Sequence, residues 1–264
     1  MERFYDIDQN RLIYVGKAAT EQFWDEHWQT DDYQRVAKAN PNSWVAKISE
    51  RYLPKGSRIL EGGCGSANHV YALHKRGFEI IGLDYAPKTV SLLNETVPEL
   101  DIRLGDVRDL PFEDQFFDGY WSLGVIEHFW DGYNNIAEEI KRVLRPKGIL
   151  FLTFPAMTDI RIWKVKTGKY ALWQDGNQKP EDFYQFALSP ERTEAFFTEL
   201  GFTLEFKQGW DGLKGFKDEI PQIHSPLQKL YDSHNLFARV LKKIFNESFS
   251  NWLGHSCLLI LRKQ

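Results

Sequence analysis

Apolar positions along the chain follow two rhythms. At Ile59-Leu60 and again at Glu79-Ile-Ile-Gly-Leu-Asp84, short apolar runs bounded by charge and glycine predict buried strands. Between and around them the spacing becomes helical. Thr20 is a plausible N-cap for a helix carrying Phe23, Trp24, His27 and Trp28 on one face. Trp44, Val45, Ile48 and Tyr52 predict a second helix over 42–52, ended by Leu53-Pro54. Asn68 to Lys75 is helical, as is a segment from Pro87 through Val90, Leu92 and Leu93. Strands and helices alternating at this length predict a parallel sheet with right-handed crossovers, whose ligands sit at the carboxyl ends of the strands.

The flanks are less regular. Residues 1–16 read as irregular, with a short extended piece at Ile13, Tyr14 and Val15, and 156–189 is too long for a simple loop. Ser189-Pro190 starts a helix with Phe196, Phe197 and Leu200 on its buried face, closed by Gly201, and Phe202 to Phe206 alternates as a strand. The polar, glycine-rich stretch 209–221 reads as a loop. Leu230, Tyr231, Phe237, Val240, Leu241, Ile244 and Phe245 then form an apolar stripe opposed by Lys229, Arg239, Lys242 and Lys243, a basic amphipathic helix that packs on its own domain or meets a membrane surface. Ser256 to Leu261 is a final apolar strand.

Composition narrows the function. The 264 residues suit one α/β domain with insertions. A net charge of −4 gives no general attraction to nucleic acid, so a small-molecule substrate fits better. Cys64 and Cys257 make neither a disulfide framework nor a zinc set, so a reducing cytoplasm is the expected compartment and no metal is expected. No window approaches the ~18 apolar residues of a membrane span. Aromatic residues reach 15%, with nine tryptophans, which first of all implies a core of large side chains.

The candidate chemistry lies in Arg58-Ile-Leu-Glu-Gly-Gly-Cys-Gly-Ser-Ala-Asn68. A strand, a glycine turn and a helix start expose unpaired N–H groups to a nucleotide-like ligand, and Asp84 follows Gly65 by nineteen residues, where an acid meets ribose hydroxyls. The dinucleotide fingerprint requires a small residue where Asn68 stands, which disfavours a nicotinamide-dependent oxidoreductase. Glu61-x-Gly63-x-Gly65-x-Ala67, then Asp101–Phe112, Phe116–Phe129 and Glu138–Phe154, together with Asp84, resemble the ordered motifs of class I S-adenosylmethionine (SAM) dependent methyltransferases, most like the small-molecule, type 11 group.

That resemblance covers 58–155 closely and the remainder loosely. It implies a Rossmann-like α/β fold, a seven-stranded mostly parallel sheet with helices on both faces, the last strand antiparallel between the fifth and sixth. It implies SAM as cofactor and S-adenosylhomocysteine as product, held by Glu61, Gly62, Gly63, Gly65, Asp84, Tyr85, Asp106, Val107, Ser122 and Leu123. Glu61 would orient the methionine end, Asp84 would bind the ribose, and Asp106 with the Val107 backbone would meet adenine. Ala67 departs from the glycine of many relatives and narrows the room near the amino-acid tail.

One domain is then expected: a helical lid over 1–57, a SAM-binding core over 58–155, cap insertions at 156–189 and 209–253, and the rest of the sheet at 190–208 and 254–264. Tyr14, Trp24 and Trp28 of the lid, with Trp163 and Tyr184 of the cap, are candidates for substrate contacts. The acceptor would be a small molecule, such as a sugar, a lipid-linked or an aromatic compound, since Ser122-Leu-Gly-Val stands in place of the Asn-Pro-Pro-Tyr associated with amide or adenine nitrogens. His128 beside Glu127 is the candidate base, because an imidazole there can take a proton near pH 7. His224 and His234 are weaker candidates. The alternative is a non-catalytic SAM-binding regulator or partner subunit of the same fold. Oligomeric state, the atom methylated and peripheral membrane contact stay open.

Overall fold

The computed structural model describes residues 1–29, 40–176, 178–233 and 235–264. The chain begins with β1 (Glu2–Asp6) and β2 (Arg11–Val15), then α1 (Glu21–Gln29) and α2 (Trp44–Tyr52). The core alternates β3 (Arg58–Gly62), α3 (Asn68–Lys75), β4 (Glu79–Asp84), α4 (Pro87–Thr96), β5 (Asp101–Leu104), β6 (Phe117–Leu123), α5 (Asn134–Val143) and β7 (Leu144–Pro155). After it come α6 (Asp159–Lys166), β8 (Ala171–Leu172), β9 (Phe183–Ala187), α7 (Pro190–Glu199), β10 (Phe202–Trp210), α8 (Gly212–Glu219), α9 (His224–Asp232), α10 (Leu236–Leu253) and β11 (Ser256–Lys263).

The main sheet has seven strands in the order β10-β11-β7-β6-β3-β4-β5. Pairs from β7 through β5 are parallel, and β11 runs antiparallel between β7 and β10, the arrangement the resemblance implied. One face is filled by Leu60, Tyr120, Leu150 and Leu152 with α5, the other by Ile59, Trp121, Phe151 and Leu258 with α2 and α3. Trp121 stacks on Phe151 at 4.3 Å, and its indole N–H donates to Ser49 of α2 at 2.9 Å, so the largest buried ring satisfies its one polar atom.

Three sequence expectations change. Residues 1–16 are a hairpin, not irregular, and β2 pairs on its far side with β9 while β1 pairs with β8. Leu12, Ile13 and Tyr14 are all buried, so both faces of β2 are covered and no alternation marks it. The lid and the first cap insertion therefore share one four-stranded sheet. The glycine-rich stretch 209–221 is the end of β10 followed by α8, because its glycines mark close backbone approach. A Cβ on Gly215 would lie 1.8 Å from the Leu253 carbonyl oxygen of α10. The apolar stripe forms two helices, α9 and α10, and the side chains of Phe237, Arg239 and Ile244 lie outside the described residues. No described helix is long and apolar enough to cross a membrane.

Candidate functional site

The site forms where β3, β4 and β6 end. Gly63 (φ 76°) and Gly65 (φ 48°) turn the chain through the left-handed region, and Cβ atoms there would strike Val125 and Trp28, at 2.6 and 2.5 Å. Ala67 follows at φ 56°, so the residue standing in place of glycine holds a conformation costing about 1–2 kcal/mol. Asp84 braces the turn. One of its oxygens accepts from the Gly65 N–H at 2.8 Å and the other from the Ala86 N–H at 3.0 Å, while burial raises its pKa.

Beneath the turn Glu61 is buried with Oε2 unpartnered, and burial together with the Asp84 charge pushes its pKa up to about 8. On the neighbouring strand the Ser122 hydroxyl is likewise buried without a partner. Buried polar atoms of this kind mark where a ligand or water completes the hydrogen bonding. Asp106 projects at the next strand end, its pKa lowered by the hydrogen bonds it accepts from the Arg108 guanidinium at 2.5–3.0 Å. The Arg108 guanidinium lies 5.3 Å from the Phe129 ring centroid.

These groups surround a cavity of about 440 Å³. Gly63, Asp84, Tyr85, Asp106, Val107 and Leu123 line it, whereas Glu61, Gly62 and Ser122 do not, and Gly62 packs against the Tyr120 hydroxyl. From α1, Trp24 and Trp28 line the cavity, stacked at 6.1 Å. Asp25, between them and buried, accepts from the Thr89 N–H at 3.0 Å and hydroxyl at 3.2 Å, which fastens α1 to α4.

His128, in the short helical turn after β6, also lines the cavity, its ring 5.0 Å from that of Trp24. Nδ1 lies 2.7 Å from the Tyr184 carbonyl oxygen. A carbonyl only accepts, so Nδ1 carries the proton and Nε2 holds the lone pair. Burial lowers the His128 pKa to about 4, outweighing that hydrogen bond. Glu127 beside it is buried, Oε2 unpartnered, its pKa pushed up to about 8 by burial.

The remaining candidates are dispersed. Tyr14 is buried against Met157, and Tyr184 reaches His128 through its carbonyl without lining the cavity. Trp163 is 58% exposed on α6 and does not line the cavity. His224 does not line the cavity, and His234 lies outside the described residues. Sequence reasoning missed Arg108, Phe129, Trp130 and Lys179, which do line it. Arg108 was legible as a cation two residues from Asp106; the others had no local signal. No group of His, Cys, Asp and Glu among the described residues could hold a metal.

A strand-turn-helix glycine cradle at the carboxyl edge of a sheet with β11 inserted antiparallel between β7 and β10 defines a class I methyltransferase fold. Residues 60–152 match the methyltransferase domain family, which supports a class I SAM-dependent methyltransferase with SAM as cofactor. A Mycolicibacterium smegmatis protein, named as a probable SAM-dependent methyltransferase, is 36% identical over 100 residues, 38% of either chain. The ubiquinone biosynthesis O-methyltransferase of Xanthomonas axonopodis pv. citri is 28% identical over 131 residues, 48% of this chain and 54% of that one. The chain thus spans between about a third and just over half the length of these curated relatives. The Burkholderia thailandensis 1,6-didemethyltoxoflavin-N1-methyltransferase, solved with S-adenosylhomocysteine, shares the fold across all of both chains at TM-score 0.52 and 15% identity.

Proposed function

We propose that this protein transfers a methyl group from SAM to a small-molecule acceptor, as a single domain in which 58–155 holds the cofactor and the flanking segments enclose the acceptor. The observation that carries this reading is the side-chain-free turn at Gly63 and Gly65, joined to two buried partnerless oxygens on Glu61 and Ser122 and set beside the cavity that Gly63, Asp84 and Asp106 line.

Asp84 would take the ribose hydroxyls, Asp106 and the Val107 backbone the adenine, and Tyr85 and Leu123 the flanks of the adenosine. Glu61, Gly62 and Ser122 would support the methionine end from below. The cofactor supplies a methyl group already activated on a cationic sulfur. What remains for the chain is to hold the acceptor in line and exclude water, the task of Trp24 and Trp28. Calorimetric titration of SAM, with quenching of the tryptophan fluorescence as α1 closes, tests the reading; an unchanged signal at millimolar SAM would refute it.

His128 would accept a hydrogen bond from the acceptor through Nε2 and receive its proton as the methyl bond forms. Its lowered pKa keeps the ring neutral from pH 8 to 6, so the rate should not fall with His128 over that range. The same shift contributes stability above the unfolded value near 6.5 that is lost as pH falls towards about 4. His128→Gln should lower kcat about tenfold with SAM affinity unchanged, a loss below the ~10²-fold usual for proton transfer because so weak a base contributes little. Steady-state kinetics beside SAM titration check this, and equal kcat would remove His128 from the chemistry.

A further inference from the structure

Among the described residues five side-chain polar atoms are buried without a hydrogen-bond partner: the Tyr14 hydroxyl, Glu61 Oε2, Ser122 Oγ, Glu127 Oε2 and Thr158 Oγ1. All lie at the carboxyl edge of the main sheet or on the hairpin that covers it. Glu61 and Ser122, on paired strand ends, are accounted for by the cofactor. Three remain.

These three are connected through their neighbours. Tyr14 and Tyr184 pack in one cluster with Met157, the neighbour of Thr158. The Tyr184 carbonyl holds His128, next to Glu127, and the Glu127 charge acts on the Tyr184 phenol. Lys214 of α8 in turn acts on Glu127. Thr158 stands at the N-cap of α6, yet its side chain caps no N–H, so its oxygen is left for something else. Tyr14, Glu127 and Thr158 are 4%, 2% and 6% exposed, so bulk water cannot serve them.

The surroundings select the sign of the missing partner. Burial pushes the Tyr14 pKa up, and the first charges to act on it are the Arg161 and Arg3 guanidiniums, ahead of Glu219 and Asp218. Arg161 is wholly buried, bonded to Glu219 at 2.9 Å and to the Ala156 carbonyl at 2.7 Å. Hydroxyl donors beside a buried guanidinium suit an oxyanion.

We propose that the methyl acceptor carries a carboxylate, and that the Tyr14 and Thr158 hydroxyls hold it in the field of Arg161, beneath the hairpin and α6 and behind His128. This rests on the methyltransferase reading and adds the recognition group of its substrate. Tyr14 and Thr158 are specificity residues, distant from the cofactor turn.

The test is calorimetric titration of the full chain, preloaded with S-adenosylhomocysteine, by acetate, butyrate and benzoate, each against its amide. At least one carboxylate should bind at least tenfold more tightly than its amide. Tyr14→Phe and Thr158→Val should each weaken that carboxylate about tenfold, while S-adenosylhomocysteine affinity stays within twofold in both, which shows that the variants are folded. If no carboxylate binds, if amides bind equally, or if neither variant changes the affinity, the proposal is overturned and the three oxygens are served by buried water only. Loss of S-adenosylhomocysteine binding by the parent protein would instead refute the methyltransferase reading, so the two failures are distinct.

Discussion

Replacing Asp84 by alanine is expected to weaken SAM binding by about 10²-fold or more, the scale of two charge-assisted hydrogen bonds to ribose hydroxyls. From sequence alone such a change would leave the fold nearly intact. The structure adds a cost. The same carboxylate accepts the Gly65 and Ala86 N–H groups, and alanine leaves a buried N–H of the turn unpaired, worth about 1–3 kcal/mol. Asp84→Asn separates the two effects, since its amide oxygen still accepts from one N–H while the charge is gone. Alanine should therefore lose both affinity and thermal stability, and asparagine affinity with a smaller loss of stability, since one N–H is left unpaired. Titration calorimetry beside thermal unfolding checks both; unchanged SAM affinity in the asparagine variant would detach Asp84 from the cofactor.

The second large effect is expected at Glu219, which belongs to the clasp between lid and cap rather than to the cavity. Its fully buried carboxylate receives Arg161 of α6 at 2.9 Å, Arg3 of β1 at 2.8 Å, Lys164 at 2.9 Å and the Tyr170 hydroxyl at 2.5 Å. Burial alone would raise its pKa, but the Arg161 and Arg3 charges outweigh it and hold the group at about 2. Glu219→Gln leaves a wholly buried guanidinium without its counter-charge, and breaking such a pair costs about 3–5 kcal/mol. In a chain of this size that lowers Tm by about 6–20 °C. Because the folded pKa lies below the unfolded one, the stabilisation is complete above about pH 5 and is lost as pH falls towards 2. Unfolding midpoints across pH 3 to 7 should show the parent losing stability on acidification and the variant losing less. Equal midpoints at pH 7 would mean that the clasp contributes nothing net, as buried ion pairs sometimes do.

The core fold was legible because its signals are local. Buried parallel strands show as short apolar runs, and the glycine turn needs particular residues within a few positions, so Glu61 to Gly65 and Asp84 could be placed by counting, and Asp106 by the resemblance. The Ser189-Pro190 start of α7 is of the same kind, its hydroxyl accepting from the Arg192 N–H as a cap should. Each depends on neighbours along the chain and on no distant partner.

The lid and cap were not legible, and the reason is also physical. Whether Arg11–Val15 is a strand depends on Phe183–Ala187 arriving beside it, some 170 residues later, and no local pattern records that pairing. The glycines of 209–221 read as flexibility because glycine permits both free turns and tight packing, and only the arrival of α10 against α8 decides between them. Sequence alone determined the βα core, the turn and the carboxylates at its strand ends. Tertiary structure decided which rings line the cavity, that His128 is held as the Nδ1–H tautomer by a carbonyl 56 residues away, and that Tyr14 is a buried hydroxyl beside Arg161 instead of a ring at the entrance. Burial and partnership, which set the charge and reach of every such group, are properties of the folded surroundings.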